Sequence, residues 1–240
     1  MAKLIILHGW QSSKEKWQKV KELLESPSLE AVALDLPGFK PDNQPDTAWG
    51  LDDYVKWLEN SLAGYNEKVY LLGHSFGGRI AIKFAVKNPQ KLKGLILAGA
   101  AGIKKKKTPR DRILLKTIKL ARKLGVREQT SQTKGLWQIC RKVFYRYILR
   151  RTDYFKANPL QKEIMKKALE EDLKPLLAQI KTPTLIVWGK KDNFTPLKDG
   201  YLMNQMIENS RIEVFAGHGH SLHLECPEKL AEKISGFLNT

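Results

Sequence analysis

Residues 69–78 read VYLLGHSFGG, a short apolar run that breaks at Ser75, with Gly73 two positions before it and Gly77 and Gly78 two and three after. A run of this kind, bounded by glycine, predicts a strand buried on both faces. A serine at the turn from such a strand into a helix is forced into a strained backbone conformation. Its neighbours must be tiny so that strand and helix can close around it. Gly73 and Gly77 supply that room. The helix that starts at Phe76 then aims its free N–H groups and its positive dipole end at the serine.

Working outward, the same kind of run recurs along the chain: KLIILHG (3–9), EAVALDLPG (30–38), KVYLLGHS (68–75), LKGLILAGA (92–100), PTLIVWGKKD (183–192) and RIEVFAGHG (211–219). All six read as continuous hydrophobic strands of the doubly buried type. Helical patterns fall between and after them near 14–25, 51–63, 76–88, 198–208 and 227–238, the last opening on Pro227, which a first helical position tolerates. Such alternation implies right-handed crossovers: an α/β fold with a mostly parallel sheet of about six strands and helices on both faces. The pattern breaks over 103–178. There, RDRILLKTIKLARKL (110–124) and LWQICRKVFYRYILRR (136–151) carry helical periodicity with many basic residues. The expected organisation is a core of residues 1–102 and 179–240 with a helical insertion at 103–178.

Bulk properties bound the function. With 240 residues and 42% apolar content, the chain suits one well-packed α/β domain with a modest insertion. No stretch reaches the roughly 18 apolar residues of a membrane span, and the apolar run of MAKLIILHGW is too short for a signal peptide. A cytoplasmic protein is expected. Cys140 and Cys226 lie far apart in apolar surroundings, which suits buried thiols rather than a disulfide framework. The histidines lack the cysteine or carboxylate clusters of a metal site, so neither metal nor cofactor is expected. The formal net charge of +17 is concentrated: residues 101–180 hold 22 Lys+Arg against 7 Asp+Glu, including the KKKK run at 104–107.

In a parallel sheet all strands end at one edge, and ligands bind in the crevice there. By this rule His8-Gly9-Trp10, Ser75, Asp192, and His218 and His220 converge on one edge. A serine hydroxyl is a poor nucleophile near neutral pH unless a base takes its proton as it attacks. Histidine is the natural base, and a buried carboxylate must hold its ring and stabilise the imidazolium. His220 and Asp192 stand where those roles require. The oxyanion that develops on an attacked carbonyl needs two converging N–H donors, assigned to Phe76, after the nucleophile, and Trp10, after the first strand. His218 and His223 compete with His220 for the base, and Asp35, after the second strand, competes with Asp192.

Taken together, HGW after the first strand, DLPGF at 35–39, GHSFGG at 73–78, WGKKDNFTP at 188–196 and GHGHSLHLECPE at 217–228 resemble the α/β-hydrolase superfamily, in particular its small capped members. The order Ser, Asp, His is the one that family requires. The resemblance implies an α/β-hydrolase fold with a helical cap at 103–178. It also implies a Ser75–His220–Asp192 triad and a structural turn at Asp35. Its G-x-G-H pattern with a following Glu and Pro matches Gly217, Gly219, His220, Glu225 and Pro227, favouring His220 over His218. The implied activity is a serine hydrolase acting on small carboxylic esters. The cap aromatics Trp137, Phe144 and Tyr147 read either as the lining of an apolar acyl pocket or, at helical spacing, as plain core. Carbon–carbon bond hydrolases and acyltransferases share such a triad, and a ligand receptor without turnover or a membrane-surface adaptor is the alternative outside enzymology. The basic cap reads as a solvated face, an attractor of acidic substrates, or a contact for an anionic membrane surface. Nucleic-acid binding is disfavoured, because no recognition module accompanies the charge.

Overall fold

The computed structural model of the protein describes residues 1–104 and 157–239. The chain divides at Lys104 and Asn158, and the unit formed by Met1–Lys104 with Asn158–Thr240 carries the sheet. Six strands, β1 (Ala2–Leu7), β2 (Leu29–Leu34), β3 (Val69–His74), β4 (Leu92–Ala98), β5 (Thr184–Gly189) and β6 (Ser210–Phe215), lie in the order β2-β1-β3-β4-β5-β6. Every neighbouring pair is parallel. The order reverses between β1 and β3, so their C-terminal ends flank a topological switch point, the crevice where ligands bind in such sheets.

Alternation within each strand divides the core. Ile5, Leu7, Leu71, Leu95, Leu97, Ile186 and Trp188 point to one face. Leu4, Ile6, Leu72, Ile96, Leu185 and Val187 point to the other. On the first face pack α2 (Leu51–Ser61), α3 (Phe76–Lys87), α4 (Pro159–Glu170) and α5 (Leu197–Met206). The second is covered by α1 (Gln18–Leu24) and the C-terminal pair α6 (Leu222–Glu225) and α7 (Pro227–Leu238). Each fully buried Leu or Ile contributes about 1.5–3 kcal/mol, which is why these runs dictate the layering.

Two expectations need correction. β2 and β6 are not buried on both faces: they form the two edges, and most of their residues keep partial exposure. The strands also stop short of the apolar runs at their C-terminal ends. The run 30–38, for instance, continues past Leu34 because Leu36 is buried, but the Leu36 N–H is given to the His8 ring rather than to a strand.

Helix α3 also buries two basic residues. Arg79 donates from Nη1 to the carbonyls of Ala168 (2.8 Å) and Glu171 (3.2 Å) at the end of α4, where orphan carbonyls and the negative dipole end favour a cation. Lys83 bridges Asp52 of α2 (2.8 Å) and Glu171 (2.5 Å). The helix that follows Ser75 is thereby tied to both helices beside it. The rest of the expected cap, including Trp137, Phe144 and Tyr147, lies outside the described residues.

Candidate active site

Ser75 adopts φ 52 and ψ −109, and only it and Gln11 among described non-glycine residues have positive φ. Such a conformation costs of order 1–3 kcal/mol and persists only where its surroundings over-determine it. Here they do: Ser75 N–H donates to the Ala98 carbonyl (3.1 Å), and its own carbonyl accepts from Gly78 N–H (3.1 Å) and Ala101 N–H (2.9 Å). The turn is equally tight against β1. Gly77 N–H donates to the His8 carbonyl (3.2 Å), and a Cβ at Gly77 would lie 2.4 Å from the Leu7 carbonyl oxygen. A Cβ at Gly73 would meet the Gly77 carbonyl oxygen at 2.6 Å. The glycine spacing therefore reflects backbone contact, with no volume left for a side chain.

Asp192 follows β5, and its side chain is fully shielded from solvent. Oδ1 accepts from the backbone N–H groups of Phe194 (2.8 Å) and Thr195 (2.9 Å). Oδ2 accepts from the Thr195 hydroxyl (2.8 Å) and from His220 Nδ1 (2.6 Å). Four donors on one carboxylate keep it charge-compensated in a buried position. Because His220 Nδ1 faces a carboxylate oxygen, Nδ1 carries a hydrogen and donates it there.

The histidine is held from both sides. Glu225 accepts from Gly219 N–H (2.6 Å) and Ser221 N–H (3.1 Å), clamping the backbone around residue 220 with one carboxylate. The His220 carbonyl accepts from His74 Nε2 (3.1 Å), so the residue before Ser75 braces the loop that carries the imidazole. The rings of His74 and Phe194 stand 4.8 and 5.1 Å from that of His220. Burial first, and then the neighbouring His220 and His223 rings, hold His74 well below the ordinary histidine range, so it is a neutral brace.

The competing residues have other partners. His218 lies 4.0 Å from Glu225, and His223 stacks on Trp17 at a centroid distance of 4.4 Å, with burial driving its pKa down to about 4. Asp35 takes Lys40 Nζ at 2.7 Å and Lys14 N–H at 2.9 Å. Burial alone would raise its pKa, but these partners bring it below the usual value. His8, lowered chiefly by burial, accepts from Leu36 N–H (3.0 Å) and donates to the Gly9 carbonyl (2.8 Å), which makes it a backbone brace.

The β4 end lies between the Ser75 turn and the His220–Asp192 pair. Gly99 (φ +49) lies between Ala98 and Ala101, which bind the Ser75 backbone, and a Cβ there would stand 3.3 Å from both Asp192 Oδ2 and His220 Nδ1. Around the first-strand loop, Trp10, Phe39 and Phe76 pack edge to face with centroids 5.0–5.7 Å apart. Thr195, Gly99 and Phe39 escaped the sequence reading as site residues.

A parallel sheet that gathers a strained serine and a buried carboxylate–imidazole pair at its C-terminal edge defines an α/β hydrolase by class. The model of the alpha/beta hydrolase family matches residues 4–233, and the chain belongs to that family. Among curated relatives, it is 25% identical over 267 residues to monoacylglycerol lipase abhd6-A of Xenopus laevis, covering 100% of this chain and 76% of that protein. It is 26% identical over 254 residues to 2-hydroxy-6-oxononadienedioate/2-hydroxy-6-oxononatrienedioate hydrolase of Escherichia coli (strain K12), with 98% and 86% covered. An esterase from Exiguobacterium antarcticum shares the fold with a TM-score of 0.75 at 23% identity, over 100% of this chain and 92% of that one. Among the described residues, no helix is long and apolar enough to cross a membrane.

Proposed function

We propose that the protein is a serine hydrolase that cleaves carboxylic esters through an acyl-enzyme. The observation that carries this reading is the 2.6 Å bond from His220 Nδ1 to Asp192 Oδ2. It leaves Nε2 as the free base and sets a buried negative charge behind the ring, where an imidazolium would need it. The Ser75 hydroxyl attacks the ester carbonyl while His220 Nε2 takes its proton, and the tetrahedral oxyanion is held by the N–H groups of Trp10 and Phe76. Collapse breaks the carbon–oxygen bond, and His220 hands the proton to the leaving alcohol. Water, deprotonated by His220, then attacks the acyl-enzyme; the acid leaves, and Ser75 regains its proton.

The likeness to the Escherichia coli hydrolase keeps carbon–carbon cleavage as a second reading with the same residues. A fluorophosphonate probe and p-nitrophenyl esters of graded acyl length test the first. Wild-type protein should label and turn over, and Ser75→Ala and His220→Ala should do neither. Labelling without hydrolysis of any ester would turn the assignment toward carbon–carbon cleavage or acyl transfer. Absence of both would leave a ligand receptor.

A further inference from the structure

We propose that Thr195 is a positioning residue that holds the His220–Asp192 pair in register with the Ser75 turn; this rests on the serine-hydrolase reading above. Thr195 is itself buried. Its N–H is given to Asp192 Oδ1 (2.9 Å) and its carbonyl accepts the Trp188 indole N–H (2.8 Å), so its backbone is fixed before its side chain acts. The hydroxyl then lies 2.8 Å from Asp192 Oδ2, 3.0 Å from the Gly99 carbonyl and 3.2 Å from His220 Nδ1. One hydroxyl proton serves two acceptors there, and without it two oxygens would face each other at 2.8 Å.

The geometry makes this hydroxyl a joint between two halves of the site that are distant in sequence. On one side, Gly99 belongs to the loop whose Ala98 and Ala101 bind the Ser75 backbone. On the other, Asp192 Oδ2 is the atom that receives the imidazole. Removing the hydroxyl frees the carboxylate plane to rotate about its remaining backbone bonds and leaves the Gly99 carbonyl without this donor. His220 then loses the fixed direction along which its Nε2 meets the serine. Such misalignment lowers the rate of the chemical step and leaves ester binding alone, because Thr195 lies behind the ring, away from Nε2.

Thr195→Val keeps the shape and deletes the hydroxyl, and Thr195→Ser restores it. The expected result with p-nitrophenyl esters is a fall in kcat on the order of 10-fold or more for Val, KM within about 2-fold of wild type, and recovery by Ser to within about 3-fold. The far-downfield proton NMR signal of His220 Nδ1–H should shift in Val and return in Ser. Should Val fail to fold by circular dichroism, Thr195→Cys, a weak donor, should give an intermediate loss in kcat. Unchanged kcat and an unmoved Nδ1–H signal in Val or Cys overturn the proposal, as does a loss carried by KM. If wild-type protein neither labels nor turns over esters, the hydrolase reading fails by itself, and the Nδ1–H signal still decides whether Thr195 orders the pair.

Discussion

Replacing Gly189 by alanine should disable the site from behind. A Cβ at this last residue of β5 would stand 1.9 Å from the Gly219 carbonyl oxygen and 2.6 Å from that of His218. Carbon and oxygen need more than 3 Å, so the loop before His220 must retreat from β5 by over about 1 Å. Backbone on both sides leaves no flexible side chain to yield. The stability loss should reach the upper end of overpacking costs, about 3 kcal/mol, which a domain of ordinary stability survives folded. Retreat of that loop lengthens the His220–Asp192 bond, and with His220 as the proposed base a displacement near 1 Å should cost roughly 100-fold in turnover. The matched control is Gly217→Ala in the same loop, where no atom lies within 4 Å of the new Cβ. Urea unfolding followed by fluorescence and p-nitrophenyl ester turnover on both variants read the two effects. If Gly189→Ala kept the unfolding midpoint and turnover of Gly217→Ala, the reasoning that β5 and the histidine loop touch backbone to backbone would be wrong.

Acid should unfold the protein through its neutral buried histidines. His223 has a folded pKa near 4 against an ordinary 6.5, lowered first by burial and next by His220. Its stabilising effect is complete above pH 6.5 and is lost as the pH falls toward 4, a contribution of about 3 kcal/mol. His74 shifts in the same direction. Urea midpoints should fall steeply as the pH drops from 6.5 toward 4, and His223→Phe, which keeps the stack on Trp17, should flatten that slope; an equal slope in the variant would exclude His223 as a source. Gly236→Ala, in α7 with open space around its Cβ, should stabilise by up to about 1 kcal/mol by thermal melt, and a lowered Tm would show hidden crowding. Tyr54→Phe deletes a buried hydroxyl that donates to the Pro37 carbonyl at 2.7 Å and should cost about 1 kcal/mol in urea unfolding, with no cost if that carbonyl finds water instead.

The central strands were legible because burial on both faces leaves an unbroken apolar record, as in residues 69–74 and 184–189. Where a buried residue sits outside a strand, as Leu36 does, hydropathy cannot tell it from strand, and the predicted end overshoots. The edges were misread for the opposite reason: β2 and β6 are apolar enough to look central, and the absence of a neighbour is a fact about pairing. At the site, the hydroxyl at 75 was legible from glycines that exist to let backbones touch. The choice among His218, His220 and His223 was not legible from spacing alone and leaned on a family pattern whose glutamate now has a physical meaning, since Glu225 grips the amides on both sides of residue 220.

By itself, then, the order of residues determined what the chain could build locally: apolar runs for a sheet, glycines at one tight turn, and a carboxylate and histidines at the ends of later strands. Tertiary structure alone decided which of these meet. The Thr195 hydroxyl reaches Gly99 across 96 positions, and Asp192 selects His220 across 28. Hydrogen bonds act over about 3 Å and carry no trace of how far apart their partners lie along the chain.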